Sequence, residues 1–188
     1  SFAHRGQLNS QSFGDDSLAT LLAGEYLPTR LHKSYQALAS ELLDQVKQRF
    51  SAVDYPLIRL HGDCHPGNLL YRDDSLHVVD LDDCRMGPAI QDLWMLLAGS
   101  YQERLGQLSE LVEGYQEFYD FKPNQLSLIE PLRALRVLHH SAWIARRWQD
   151  PAFPLAFPWF AQEHYWDEQM MLLHELKEAL NEPPLRLF

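Results

Sequence analysis

Apolar residues recur at intervals of three and four along much of the chain, which is the spacing of helices with one buried face. The first long helix is predicted from His32 to Phe50. Its buried stripe would consist of Tyr35, Leu38, Leu42, Leu43, Val46 and Phe50. Further helices are predicted from 107 to 120 and from Asn124 to about Trp148. The inner face of the latter would be Leu126, Ile129, Leu132, Leu135, Leu138 and Ala142.

The ends of the chain give weaker patterns. Residues 1–16 are polar and are predicted to be a loop or linker, followed by a short helix from Leu18 to Ala23. Three prolines within 150–158 predict a stiff aromatic loop, because proline interrupts regular helices and central strands. A last helix is predicted over 159–180.

Between residues 57 and 98 the pattern changes. Leu57–Leu60 predicts a short strand, and two apolar runs, 69–71 and 76–79, predict a hairpin with residues 72–75 as its turn. Pro88 then favours the start of a helix from Ala89 to about Ala98. The chain as a whole therefore predicts an α+β fold that is mainly α-helical and carries a small β-hairpin.

The most informative residues flank this hairpin. His61, Asp63 and Asn68 follow the pattern H-x-D-x-x-x-x-N, and Asp80 comes after the second apolar run. This is the spacing of a kinase catalytic loop, where the first Asp accepts the hydroxyl proton of the substrate and the Asn binds Mg²⁺. The turn at Pro66-Gly67 and the hairpin would bring Asp63, Asn68 and Asp80 together. Clustered carboxylates repel each other, so such a site favours a bound cation.

The strings HGDCHPGN and VVDLDD closely resemble the aminoglycoside phosphotransferase and choline kinase family, which shares the protein-kinase fold. The longer string through GPAIQDLWMLL is similar to a bacterial group of stress-response Ser/Thr protein kinases within it. The resemblance implies Mg-ATP as substrate and a protein hydroxyl as acceptor. It implies that Asp63 is the catalytic base, that Asn68 and Asp80 hold metal, and that Asp92 braces the catalytic loop.

Several features depart from the protein-kinase pattern. Asp80-Leu81-Asp82 stands where Asp-Phe-Gly is expected, and His65 stands where many kinases carry Lys. His65 is a candidate to approach the nucleotide phosphates, and His61 is a candidate to support the loop. No glycine-rich loop or strand lysine precedes residue 57. We therefore expect residues 32–188 to be the C-terminal lobe, residues 1–31 to be a linker with a short helix, and the ATP-covering lobe to be absent. Such a fragment is expected to be inactive alone.

Composition limits the partners. A net charge of −10 disfavours nucleic acid, and no apolar run is long enough to favour a membrane. The two cysteines are too few for a disulfide framework, which favours a reducing cytoplasm.

Three alternatives stay open at this level. The acceptor could be a small molecule, such as an aminoglycoside, choline or a homoserine-like alcohol. His61, Asp63 and His65, with Cys64 or His77, could instead ligate zinc in a metallohydrolase. A lobe of this size could also be a non-catalytic binding module.

Overall fold

The computed structural model describes residues 5–187, so the predictions for residues 1–4 and for Phe188 lie outside the described residues. The helices in this range are α1 (Asp16–Ala23), α2 (His32–Ser51), α3 (Ile90–Trp94), α4 (Tyr101–Gln116), α5 (Ile129–Arg147), α6 (Ala152–Ala156) and α7 (Glu163–Ala179). The strands are β1 (Ile58–Leu60), β2 (Leu69–Arg72), β3 (Ser75–Val78) and β4 (Arg85–Gly87). The predicted fold class, mainly helical with small antiparallel sheets, is confirmed. No helix among residues 5–187 combines the length and the hydropathy needed to span a membrane.

Backbone contacts divide the chain into two compact units. Within the described range, one contains residues 5–8, 53–129 and 184–187, and the other contains residues 9–52 and 130–183. The predicted boundary between residues 31 and 32 stays a prediction.

The first unit contains both sheets. Strand β1 pairs with β4 in antiparallel register, with Ile58 opposite Gly87 and Leu60 opposite Arg85. On the other side of β4, Gln7 forms a parallel bridge to Met86. Strand β4 was not predicted, because three residues that include Arg and Gly give no alternating pattern.

The hairpin of β2 and β3 is confirmed. Leu69 lies opposite Val78 and Arg72 opposite Ser75, which leaves a two-residue turn at Asp73 and Asp74. Both turn residues have positive φ, 52° and 56°. Two consecutive left-handed residues match the right-handed twist of the paired strands, and Asp tolerates this conformation better than most residues. The turn therefore fixes the register that carries Asp80 back to the start of β2.

The second unit is helical, and its predicted apolar stripes are largely confirmed. The buried stripe of α2 consists of Tyr35, Leu38, Leu42, Leu43 and Val46, whereas Phe50 is only half-buried. Within this unit the predicted inner face of α5 is buried at every position from Leu132 to Ala142. Tyr35 also meets Trp166 of α7 edge-on, with 5.7 Å between the ring centroids.

The loop prediction for residues 1–16 is wrong within the described part, because helical structure begins before α1. Residues Gln11–Asp15 form a π-helical turn that leads directly into it. The side chain of Asn9 accepts a hydrogen bond from the backbone N–H of Ser12 at 2.8 Å, as a helix cap does. Phe13 is buried and stacks on His139, with 3.8 Å between the ring centroids. A single buried aromatic in a polar stretch gives no helical period to read.

Helices α3 and α4 begin or end at other residues than predicted. Helix α4 begins at Tyr101, because Ser100 and Glu103 form a capping box, and it ends before Phe118, which is 88% exposed. Helix α3 spans only five residues. Hydrogen bonds from the N–H groups of Leu96 and Leu97 form a turn after it. Gly99, with a φ of 90°, then precedes the cap of α4.

The proline-rich segment 150–158 was predicted to lack regular helix, yet it contains the short helix α6. Asp150 accepts a hydrogen bond from the N–H of Ala152 at 3.0 Å, and Pro151 precedes the first helical residue. Pro154 falls in the first turn, where its missing N–H would have no helical partner. Helix α7 starts at Glu163, four residues after the predicted start at Trp159.

Replacing Leu138 by Ala is expected to destabilise the second unit, since this side chain of α5 has no exposed surface. Truncating a buried leucine costs about 2–5 kcal/mol of unfolding free energy. The matched control is Leu155→Ala, because Leu155 is 83% exposed. Chemical denaturation measures both changes, and equal losses for the two variants would contradict the described core.

Candidate active site

The segment between β1 and β2 holds the residues of the H-x-D-x-x-x-x-N pattern. Strand β1 ends at Leu60, and residues 61–65 form a loop. A 3-10 turn, Pro66–Asn68, then leads into β2. The backbone N–H of Asn68 donates to the carbonyl of His65 at 2.9 Å. The proline-glycine turn therefore folds the chain back, as the sequence indicated.

The loop is held from α3 by the carboxylate of Asp92. Its two oxygens accept hydrogen bonds from the backbone N–H groups of His61, at 2.7 Å, and Gly62, at 2.9 Å. Burial raises the pKa of Asp92, while these two hydrogen bonds act in the opposite direction. Helix α3 follows β4 directly, and β4 pairs with β1. That pairing brings the helix beside the end of β1.

Neighbouring Gln91 was missed by the sequence reasoning. Its side chain is 2% exposed, and Nε2 donates to the carbonyl oxygen of Gly62 at 2.9 Å. Trp94 Nε1 donates to Oε1 of Gln91 at 3.1 Å and fixes the orientation of the amide. The Gly62 residue is thus held at its N–H by Asp92 and at its carbonyl by Gln91. The available signal was a polar pair, Gln-Asp, inside an otherwise apolar helix.

Gly62 was also missed, although it occupies a demanding position. Its φ is 88°, and an added Cβ would collide with the backbone carbonyl of Asp83. Only glycine combines this backbone conformation with so close an approach. The segment after Asp80 therefore packs against the loop that carries Asp63. Arg85 holds that segment by donating from Nε to the carbonyl of Asp83 at 2.7 Å and by pairing with its carboxylate.

His61 connects the loop to the segment before Asp80. Its Nδ1 accepts from the backbone N–H of Asp63 at 3.3 Å, and its Nε2 lies 2.8 Å from the carbonyl oxygen of Val79. Because Nδ1 accepts and the carbonyl can only accept, the proton of the neutral ring belongs on Nε2. The imidazole thus ties together two stretches of chain that are eighteen positions apart.

Asn68 is buried and holds the main chain on both sides of the site. The side-chain Nδ2 of Asn68 donates to the backbone carbonyl of Asp63 at 3.0 Å. The backbone carbonyl of Asn68 accepts from the N–H of Val79 at 3.0 Å. Asp63 is therefore bonded directly to Asn68, and Asp80 follows the residue that pairs with Asn68. Because Nδ2 is used in this way, the amide oxygen is the atom of Asn68 suited to bind a cation.

Asp80 adopts the left-handed conformation, with φ 61° and ψ 64°, at the end of the segment after β3. Its side chain is exposed, and the 3-10 turn Leu81–Asp83 follows it. Asp is one of the few residues other than glycine that occupies this region readily. The positive φ turns the chain out of the hairpin immediately beside Asn68.

Cys64 and His65 follow Asp63 in the loop. Nε2 of His65 lies 3.4 Å from Oδ2 of Asp63. Burial, with the nearby charges of Asp92 and Asp63, raises the pKa of the Cys64 thiol. A raised pKa means that less of the thiol is present as thiolate, the form that binds metal. Among residues 5–187, no three His, Cys, Asp or Glu side chains are grouped so as to hold a metal ion, as the zinc alternative requires.

Comparison with known proteins identifies relatives over most of the chain. Residues 3–135 match the model of the phosphotransferase enzyme family. Over 186 residues the chain is 42% identical to stress response kinase A of Escherichia coli strain K12, covering 99% of this chain and 56% of that protein. Over 134 residues it is 53% identical to the serine/threonine protein kinase RdoA of Salmonella typhimurium, covering 71% of this chain and 40% of that protein. The chain spans about half the length of the curated relatives it matches.

Solved structures share the fold. A choline/ethanolamine kinase family protein from Mesorhizobium loti aligns with a TM-score of 0.61 and 21% identity, covering 92% of this chain and 54% of that one. An AMP-bound spectinomycin phosphotransferase aligns with a TM-score of 0.58 and 14% identity, covering 96% of this chain and 60% of that one. The kinase-like fold that the sequence pattern indicated is confirmed.

Replacing Asp92 by Asn is expected to release the loop. An amide has one acceptor oxygen, so its NH₂ group would oppose one of the two N–H groups that the carboxylate now accepts. A hydrogen bond to a charged group contributes about 1.5–3 kcal/mol, so amide exchange at His61 and Gly62 should accelerate about 10- to 100-fold. Asp54→Asn is the matched control, an exposed Asp of the same unit. Unchanged exchange in Asp92→Asn would show that the carboxylate does not hold the loop.

Proposed function

The chain belongs to the phosphotransferase enzyme family, and on that premise we propose that it carries the catalytic loop of a kinase that transfers the γ-phosphoryl group of ATP to an alcohol. The observation that carries the proposal is the bonding between Asp63 and Asn68. It joins a carboxylate suited to a base and an amide suited to a metal in one rigid turn. These are the two groups that phosphoryl transfer requires, and phosphoryl transfer is the reaction that the family's name describes.

The proposed roles follow from the chemistry of each group. Asp63 orients the acceptor hydroxyl and takes its proton as the oxygen attacks the γ-phosphorus and the bond to ADP breaks. Asp63 is only 21% exposed, which limits competition from water. His61 and Asp92 hold the loop through its N–H groups, so the base keeps its position during the reaction.

Asn68 and Asp80 are the proposed magnesium ligands. The fit rests on the donor set: an amide oxygen and a carboxylate are hard ligands, as Mg²⁺ prefers. Bound magnesium would neutralise charge on the phosphates of ATP. The use of an adenine nucleotide is consistent with the AMP bound in one of the structural neighbours.

We propose that the acceptor is a Ser or Thr hydroxyl of a protein. The support is the name of the Salmonella relative, a serine/threonine protein kinase, and the name of the E. coli relative, which places it in a stress response. A small-molecule alcohol is the second candidate, since the structural neighbours are named for choline or ethanolamine and for spectinomycin. Parallel assays with protein and small-molecule acceptors separate the two.

Replacing Asp63 by Asn in the natural gene product is expected to lower turnover about 10²- to 10⁴-fold, the usual contribution of a general base. Transfer of labelled phosphate from ATP to a mixture of bacterial proteins measures the effect. Asp54→Asn serves again as the control, and circular dichroism checks folding. If Asp63→Asn turned over nearly as fast as the wild type, Asp63 could not be the catalytic base.

The 188-residue chain by itself is expected to bind Mg-ATP poorly and to lack activity, since no glycine-rich loop or strand lysine precedes residue 57. Isothermal titration of the chain with Mg-ATP tests this, with stress response kinase A of Escherichia coli as reference. Micromolar affinity of the 188-residue chain would contradict the proposal that further residues are needed to cover the nucleotide.

A further inference from the structure

The imidazole of His65 is held in one orientation by the turn that follows it. Its Nδ1 accepts a hydrogen bond from the backbone N–H of Gly67 at 3.0 Å, as the cap of the turn Pro66–Asn68. In the neutral ring the proton therefore belongs on Nε2. The atom that carries it lies 3.4 Å from Oδ2 of Asp63.

Gly67 is required for this arrangement. A Cβ at that position would lie 2.7 Å from Cε1 and 3.0 Å from Nδ1 of His65. Any larger residue would displace the ring from the turn. The sequence His-Pro-Gly therefore builds a platform on which the ring lies with Nε2 directed toward Asp63.

The main chain of Asp63 is already fixed on both sides. His61 accepts from its N–H, and Asn68 donates to its carbonyl. A base must also present a particular oxygen lone pair to the hydroxyl, so the orientation of the carboxylate itself matters for the transfer. Nε2 of His65 lies 3.4 Å from Oδ2 of that carboxylate.

We propose that His65 is a positioning residue, which orients the carboxylate of Asp63 through Nε2–H rather than binding the phosphates of the nucleotide. The proposal rests on the proposed function, because it assumes that Asp63 is the base. A contact of 3.4 Å is long for a hydrogen bond, and catalytic contacts commonly shorten when substrate is bound. The two roles differ kinetically: a positioning residue affects kcat, whereas a phosphate ligand affects the KM for ATP.

Two substitutions separate the contacts of the ring. In His65→Asn, Oδ1 takes the place of Nδ1 and can still accept from Gly67, but the donor toward Asp63 is lost. In His65→Gln, the longer side chain can again bring an N–H group to Asp63. We expect kcat of His65→Asn to fall about 10- to 100-fold with the KM for ATP within about threefold of the wild type, and His65→Gln to recover most of that loss.

The measurement uses the natural gene product and ATP, with His174→Asn as the matched control, since His174 is exposed on α7. Thermal unfolding identifies any variant that misfolds. If His65→Asn misfolds, His65→Gln carries the test alone, and a kcat as low as that of Asp63→Asn would overturn the proposal. A rise in KM without loss of kcat in His65→Asn, or wild-type kinetics, would also overturn it. Wild-type turnover in Asp63→Asn would instead reject the proposed function itself.

Discussion

The arrangement of the site depends on one carboxylate that is largely removed from water. Asp92 accepts the N–H groups of two consecutive loop residues, His61 and Gly62. Burying a carboxylate is costly, and the raised pKa of Asp92 reflects that cost. The two N–H groups offset it, and in return they lose their freedom to adopt another backbone geometry. The position of Asp63, the next residue, follows from this constraint.

Other side chains in and around the loop also form hydrogen bonds to main-chain groups. Gln91 binds the carbonyl of Gly62, His61 binds the carbonyl of Val79, and Asn68 binds the carbonyl of Asp63. The first two bonds join the loop to segments that are distant in sequence, and the third closes the loop on itself. Together they restrain a loop that contains no helix or strand from residue 61 to residue 65. The proposed base, Asp63, and the proposed metal ligands, Asn68 and Asp80, all lie in or beside the loop that these bonds hold.

The accuracy of the sequence-based predictions depended on whether the signal was local. The stripes of α2 and α5 were predicted correctly because helix period and burial coincide there. The hairpin was predicted because two apolar runs, 69–71 and 76–79, flank the short polar stretch 72–75. The start of α4 was misplaced, although the capping box at Ser100 and Glu103 could have been read from the sequence. Strand β4 and the π-helical turn before α1 could not be read, since both depend on partners elsewhere in the chain.

The sequence by itself determined the residue types of the candidate site and their spacing, because a kinase-like catalytic loop is a short contiguous motif. It also determined the fold class, since the helix and hairpin periods are local properties. Only the tertiary structure decided how the loop is held: that Gln91 joins Asp92, that Gly62 must lack a side chain, and that His65 faces Asp63. These contacts join α3, the loop and the segment after Asp80, and no local pattern encodes which distant backbone group a polar side chain will meet.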